Sequence, residues 1–171
     1  MTSRQFAVIA ARIEEELVSI RRLKEELAGK GLLGKEKPVK KKLARYDPFM
    51  LRAVGSVLHD FYVAVENVFE TVAREIDGRV PVGGDWHREL LAQMTLSVRT
   101  VRPPVVSRET AEKLDEFRRF RHVFRNVYGF NLQSDRLVEL LVSLPDVAAR
   151  FEAEVRAFIG AMEEVLPLDA E

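Results

Sequence analysis

Apolar side chains return at helical spacing along most of the chain. Phe6, Ile13, Ile20 and Leu27 recur every seven residues, with Ala10 and Leu17 at neighbouring seam positions. They trace one apolar stripe on a helix of roughly residues 3–28, stopped by Gly29 and Gly31. So narrow a seam suits a bundle or a coiled coil, and bundle packing is the expectation. A second stripe runs through Val54, Leu58, Phe61, Val65, Val68, Val72 and Ile76 to Gly78. It opens on Asp47-Pro48, a cap followed by a first-turn proline. At about 29 residues it is expected to be the longest helix. Asp60, Glu66, Asn67 and Glu70 fall on its other faces.

The loop GRVPVGG leads to Asp85, which should cap a shorter helix, WHRELLAQM, and RTVRPPVV cannot be helical around Pro103 and Pro104. Ser107 should cap the next helix, expected to end at Gly129. Ser134 begins a short helix, DRLVELLVSL. Pro145 then restarts the chain into a last helix with Val147, Phe151, Val155, Phe158, Met162 and Val165 inward. Neither strand alternation nor an internal repeat is present in the sequence. The fold class predicted is all-α, an antiparallel bundle of five to six helices with a long second helix. A single domain over 1–171 is expected: an N-terminal helix (1–28), a basic connector (29–47) and a bundle core (48–166). The connector carries seven lysines or arginines against one glutamate before Asp47. It reads as a solvated loop, with phosphate contact as the alternative.

Composition narrows the function. The 171 residues make about one domain, 47% hydrophobic and 32% charged, so a real core can form. Lys+Arg and Asp+Glu both number 27. Any affinity for nucleic acid must therefore come from a local patch. With no cysteine, disulfides and thiolate metal sites are excluded. No apolar run approaches the ~20 residues that span a bilayer, so no membrane association is expected. The N-terminus turns acidic early and lacks a secretory apolar region, and the cytoplasm is the expected location.

One stretch is the candidate patch. Residues 117–130, FRRFRHVFRNVYGF, hold four arginines and a histidine among aromatics, with no acid. On a helical wheel Phe120, Val123, Phe124 and Val127 gather toward the core, while Arg118, Arg121 and Arg125 share a sector of about 60°. His122 and Asn126 lie four apart on its flank, and Tyr128 returns above Arg121. Two readings stand side by side. The arginines pair with acids of the long helix, such as Asp60, Glu66 or Glu70, or the strip binds phosphate. A guanidinium fork meets phosphate oxygens bidentately and stays charged, a histidine can move a proton near neutrality, and a tyrosine suits base stacking or a ribose contact. His59, His87 and His122 sit on separate predicted helices without a metal-binding spacing, and no phosphate-binding glycine motif occurs, so neither metal nor cofactor is expected.

The motif resembles that of HEPN-domain proteins, specifically HepT-like ribonuclease toxins. Their signature is arginine, four to six residues, then histidine, often with tyrosine two residues later and a polar residue after the arginine. Here Arg121 matches the arginine, His122 the polar follower and Tyr128 the tyrosine. Residues 58–94 resemble the family's long helix, loop and short helix, so the likeness covers about 48–165. The sequence departs at Asn126, which stands where the family places its catalytic histidine. Asparagine orients but has no titratable proton. The resemblance implies an endoribonuclease of toxin–antitoxin systems. It would act on RNA without metal through the ribose 2′-hydroxyl, as a homodimer whose motif helices form a composite cleft. It further implies Arg121, His122 and Asn126 as catalytic positions and Arg118, Arg125 and Tyr128 as RNA or phosphate contacts. An MntA-type nucleotidyltransferase antitoxin would silence the toxin by transferring AMP to Tyr128. The alternative is a catalytically silent HEPN module that binds the nucleotidyltransferase or RNA.

Overall fold

The computed structural model describes residues 1–126 and 132–166. Among them are six helices: α1 (Ser3–Gly29), α2 (Glu36–Leu43), α3 (Pro48–Glu75), α4 (Trp86–Met94), α5 (Arg108–Asn126) and α6 (Ser134–Val165). The described residues form no strand, only an isolated bridge between Val98 and Arg102. The all-α class is as expected.

The predicted seams are the buried ones. Phe6, Ala10, Ile13, Leu17, Ile20 and Leu27 all lie inside on α1. The helix is entered through a capping box of Thr2 and Gln5. Asp47 caps α3, its Oδ1 accepting from Met50 N at 2.8 Å, with Pro48 at the first turn. Beyond the predicted stripe, α3 also buries Tyr62, Ala64, Glu66, Phe69 and Ala73. It is covered on several sides because it packs against α1, α4, α5 and α6.

Cross-helix pairs fix the directions of the long helices. Arg12 and Asn67–Glu16 run in opposite order along α1 and α3, since Arg12 meets Glu75. Glu14–Arg156 and Arg21–Glu152 do the same for α1 and α6. Glu109–Arg150, Lys113–Asp146 and Glu116–Arg136 do it for α5 and α6. Phe61 packs edge-on to Phe117 at 4.9 Å while Phe124 meets Gly55, so α3 and α5 are antiparallel too. The result is an antiparallel four-helix core, with α4 laid on α3 and α5 and α2 laid on α6.

Four expectations need correction. The basic connector is not a loop: it contains α2, whose Val39 and Leu43 are buried, and the run of lysines hides that short apolar face. Lys40 pairs with Asp135 at 2.8 Å, and this partner raises the lysine's pKa. The chain does not restart at Pro145, which lies inside a continuous α6. Proline removes one N–H from the ladder. Leu140, Leu141, Leu144, Val147 and Ala148, buried on both sides of it, keep the helix in register. With 32 residues α6, not the 28-residue α3, is therefore the longest helix, and α3 is the third rather than the second. Val165, expected inward, is 72% exposed at the end of α6.

Between α4 and α5 the chain is pinned by Arg102, whose Nε and Nη2 donate to Asp77 Oδ1 and Oδ2 at 2.6 and 2.8 Å. The same guanidinium donates to the carbonyls of Gln93, Leu96 and Pro103. Ser107 then caps α5, its Oγ accepting from Thr110 N at 3.1 Å. Glu154 of α6 accepts from Ser107 N, Ser107 Oγ and Thr110 Oγ1. The start of the motif helix is thus tied to the bundle.

Candidate functional site

Thr110, Ala111, Leu114, Phe117 and Phe120 form the buried stripe of α5, at spacings of three and four. That stripe orients everything else on the helix. Phe120 stacks on Phe124 at 5.6 Å, and Phe124 also packs against the ring of His59. Val123, placed inward by the helical wheel, is instead 52% exposed. The core contact at this turn is taken by Phe124, which leaves Val123 on the open flank.

Arg121 points inward. Its side chain is only 14% exposed, and Nη2 lies 3.2 Å from Oε2 of Glu66, itself 5% exposed in the middle of α3. His87 of α4 completes a closed triangle. Its Nδ1 bonds Glu66 Oε1, and its Nε2 lies 3.4 Å from Arg121 Nη1. The Trp86 indole lies tilted against the His87 ring, centroids 3.6 Å apart. Arg121 Nε is buried with no hydrogen-bond partner among the described residues. With Nδ1–H donated to the carboxylate, Nε2 is the imidazole's acceptor, facing an arginine that donates. Tyr62 is buried beside this cluster, where burial, reinforced by the Glu66 charge, pushes its phenol pKa well up.

The other candidate residues do not join the triangle. Arg118 Nε donates to Asp115 Oδ1 at 2.6 Å, and Arg119 Nε to Asp115 Oδ2 at 2.7 Å. The acid-free stretch is thus neutralised from just upstream, on its own helix. Arg118 and Arg119 also line a groove of about 1310 Å³ between α4 and α5, with Arg79, Arg88 and Arg108 but equally with Asp77, Glu89, Glu112 and Glu116. Mixed charge makes it no phosphate track. His122, Arg125 and Asn126 are exposed. Asn126 folds back along the helix, its Nδ2 donating to His122 O at 2.9 Å. Tyr128 and Val127 lie outside the described residues. Of the acids considered as partners for the arginines, Glu66 is one. Asp60 bonds His59 and Glu70 pairs with Arg74.

A family model described as HepT-like protein matches residues 53–162, more than half of the chain. The chain belongs to the HepT-like family. The match spans α3 almost entirely, all of α4 and α5, and most of α6, so every corner of the triangle lies within it. Membership places the chain among toxin–antitoxin-associated HEPN modules. No curated protein and no solved structure matches the chain significantly. Among the described residues no helix is long and apolar enough to cross a membrane, and no cluster of histidines and acids could hold a metal ion.

The sequence offered Glu66 only as one of three acids that the arginines could meet, and it gave no sign of His87. Glu66 had a signal, a lone carboxylate inside YVAVENVF, where apolar neighbours imply burial and a buried carboxylate needs a partner. His87 had none, because its place beside Arg121 depends on how α4 crosses α5.

Proposed function

We propose that the chain is the toxin-type component of a toxin–antitoxin pair, a metal-independent endoribonuclease with Arg121 at the scissile phosphate. The observation that carries this is the under-used guanidinium of Arg121. It makes single, long contacts to Glu66 and His87 and leaves Nε without a partner. Glu66 gives Arg121 one oxygen, because His87 holds the other, so the fork keeps donors that a phosphate could take bidentately. His122, Arg125 and Asn126 are exposed on the same helix, open to the rest of the RNA, with Arg118 further back. Val123, apolar and exposed between them, supports the association of two motif helices into a composite cleft. The partner that controls the chain is an MntA-type nucleotidyltransferase, and adenylation of Tyr128 would bring charge and bulk against RNA.

The back-folded, proton-less Asn126 favours a second reading, a silent HEPN module that binds RNA or the nucleotidyltransferase without cutting. Cleavage of a labelled single-stranded RNA by wild type, Arg121→Lys and Asn126→His separates the two. Lysine keeps a charge opposite Glu66 but loses the fork. Cleavage by wild type, reduced by about 100-fold or more in Arg121→Lys, supports the nuclease, since a positioned transition-state donor is worth roughly that factor. A fully active Arg121→Lys rules out the assigned site. Cleavage by Asn126→His alone establishes the silent module.

A further inference from the structure

We infer that His87, held by Glu66, is the proton-accepting group of the nuclease, supplying from α4 the imidazole that α5 lacks at Asn126. This rests on the nuclease reading above and assigns it a residue outside the motif.

Glu66 Oε1 accepts a hydrogen bond from Nδ1–H of His87, and the Trp86 indole lies tilted against the ring. One tautomer and one orientation are thereby fixed, with the Nε2 lone pair directed at Arg121 Nη1, 3.4 Å away. A carboxylate behind an imidazole in this way both orients the base and stabilises the imidazolium once it forms. The Nε2 contact with Arg121 is at the long edge of hydrogen bonding, so a phosphate that draws the guanidinium toward itself frees the lone pair. The phosphate-binding group and the base are thus neighbours, as the reaction requires. His122 is exposed on the same helix as Arg121, and the contacts that fix His87, a carboxylate partner and an adjoining indole, do not occur at it among the described residues.

The chemistry closes. Neutral His87 takes the proton of the ribose 2′-hydroxyl on Nε2 as O2′ forms a bond to phosphorus. The P–O5′ bond breaks, its electron pair leaves with O5′, and solvent water protonates that oxygen. The imidazolium returns its proton to solvent. The products are a 2′,3′-cyclic phosphate and a 5′-hydroxyl. The charged groups facing His87 are Glu66 from α3 and Arg121 from α5. Tyr62 lies next to Glu66, with the Arg118–Asp115 pair also close to Tyr62.

The test is the pH dependence of RNA cleavage by wild type, His87→Gln, Glu66→Gln, His122→Gln and Asn126→His. In wild type the rate should fall as acid protonates the imidazole. His87→Gln should cut about 10²–10⁴-fold more slowly and lose that acid limb, while still binding a 2′-O-methyl RNA of the same sequence, which cannot react. Glu66→Gln keeps an acceptor for Nδ1–H but removes the charge that stabilises the imidazolium, so its limb should move to lower pH. The limb, unlike the rate, should persist in His122→Gln. A His87→Gln protein as fast as wild type with the same limb overturns this inference and leaves the nuclease reading standing. If His87→Gln fails to fold, an unmoved limb in Glu66→Gln overturns it instead. Cleavage by Asn126→His with an inert wild type overturns both, as does inertness of wild type and every variant.

Discussion

Removing one member of a buried ion pair leaves the other charge unmatched, which costs more than the pair's net worth. Glu66→Ala strands the Arg121 guanidinium, and the free energy of unfolding should drop by about 3 kcal/mol or more. Glu75→Ala breaks the exposed pair with Arg12 and should cost about 1 kcal/mol or less. Urea denaturation of the two variants checks the contrast. Tyr62 gives a pH dependence. Its phenol pKa lies well above the ordinary 10.0 in the folded chain, so the unfolded chain loses that proton first as pH rises. The contribution is intact below about pH 10 and erodes above it. Tyr62→Phe should therefore flatten the alkaline decline in urea midpoint. At this scale spacing put Arg118, Arg121 and Arg125 on one face and Asp115 within reach of Arg118 on the same helix, whereas only the crossing of α3, α4 and α5 says that Arg121 meets Glu66 and His87 together.

Elements were set by local pattern wherever a stripe and a cap agreed, as in α1 and α3. They escaped it where a local signal opposed burial. Pro145 reads as a break, yet the leucines on either side hold α6 together. The lysines of α2 read as a loop, yet Val39 and Leu43 dock on the bundle. Gly55 leaves room on α3 for the ring of Phe124 from α5. A Cβ there would sit 2.7 Å from Phe124 Cε2 and 3.4 Å from Leu132 Cδ1. Gly55→Ala should lower stability by roughly 1–3 kcal/mol, despite the better helix propensity of alanine. It should also raise hydrogen exchange at the C-terminal end of α5, the end that carries Arg125 and Asn126. Thermal melting and amide exchange measure the two effects.

For the whole molecule, the proposed composite cleft needs two chains. Val123 then lies at the contact between motif helices, and Val123→Asp should place like charges across a two-fold axis. Sedimentation should show two associated chains for wild type and one for the variant, with unchanged helicity and a melting temperature that no longer rises with protein concentration. A Val123→Asp protein that stays paired would remove this helix from the interface.

What the sequence alone determined is what repeats along it: helices wherever apolar residues return at 3.6-residue spacing, the all-α class, and an arginine-rich strip on one helix. These are local properties, carried by neighbours a few positions apart. The pairing of Asp115 with Arg118 is local too, three residues apart on one helix. The tertiary structure decided what surrounds Arg121, since Glu66 and His87 reach it from helices that begin 60 and 22 residues before α5. A titratable group's role depends on what packs against it, and packing between distant segments leaves no period in the chain.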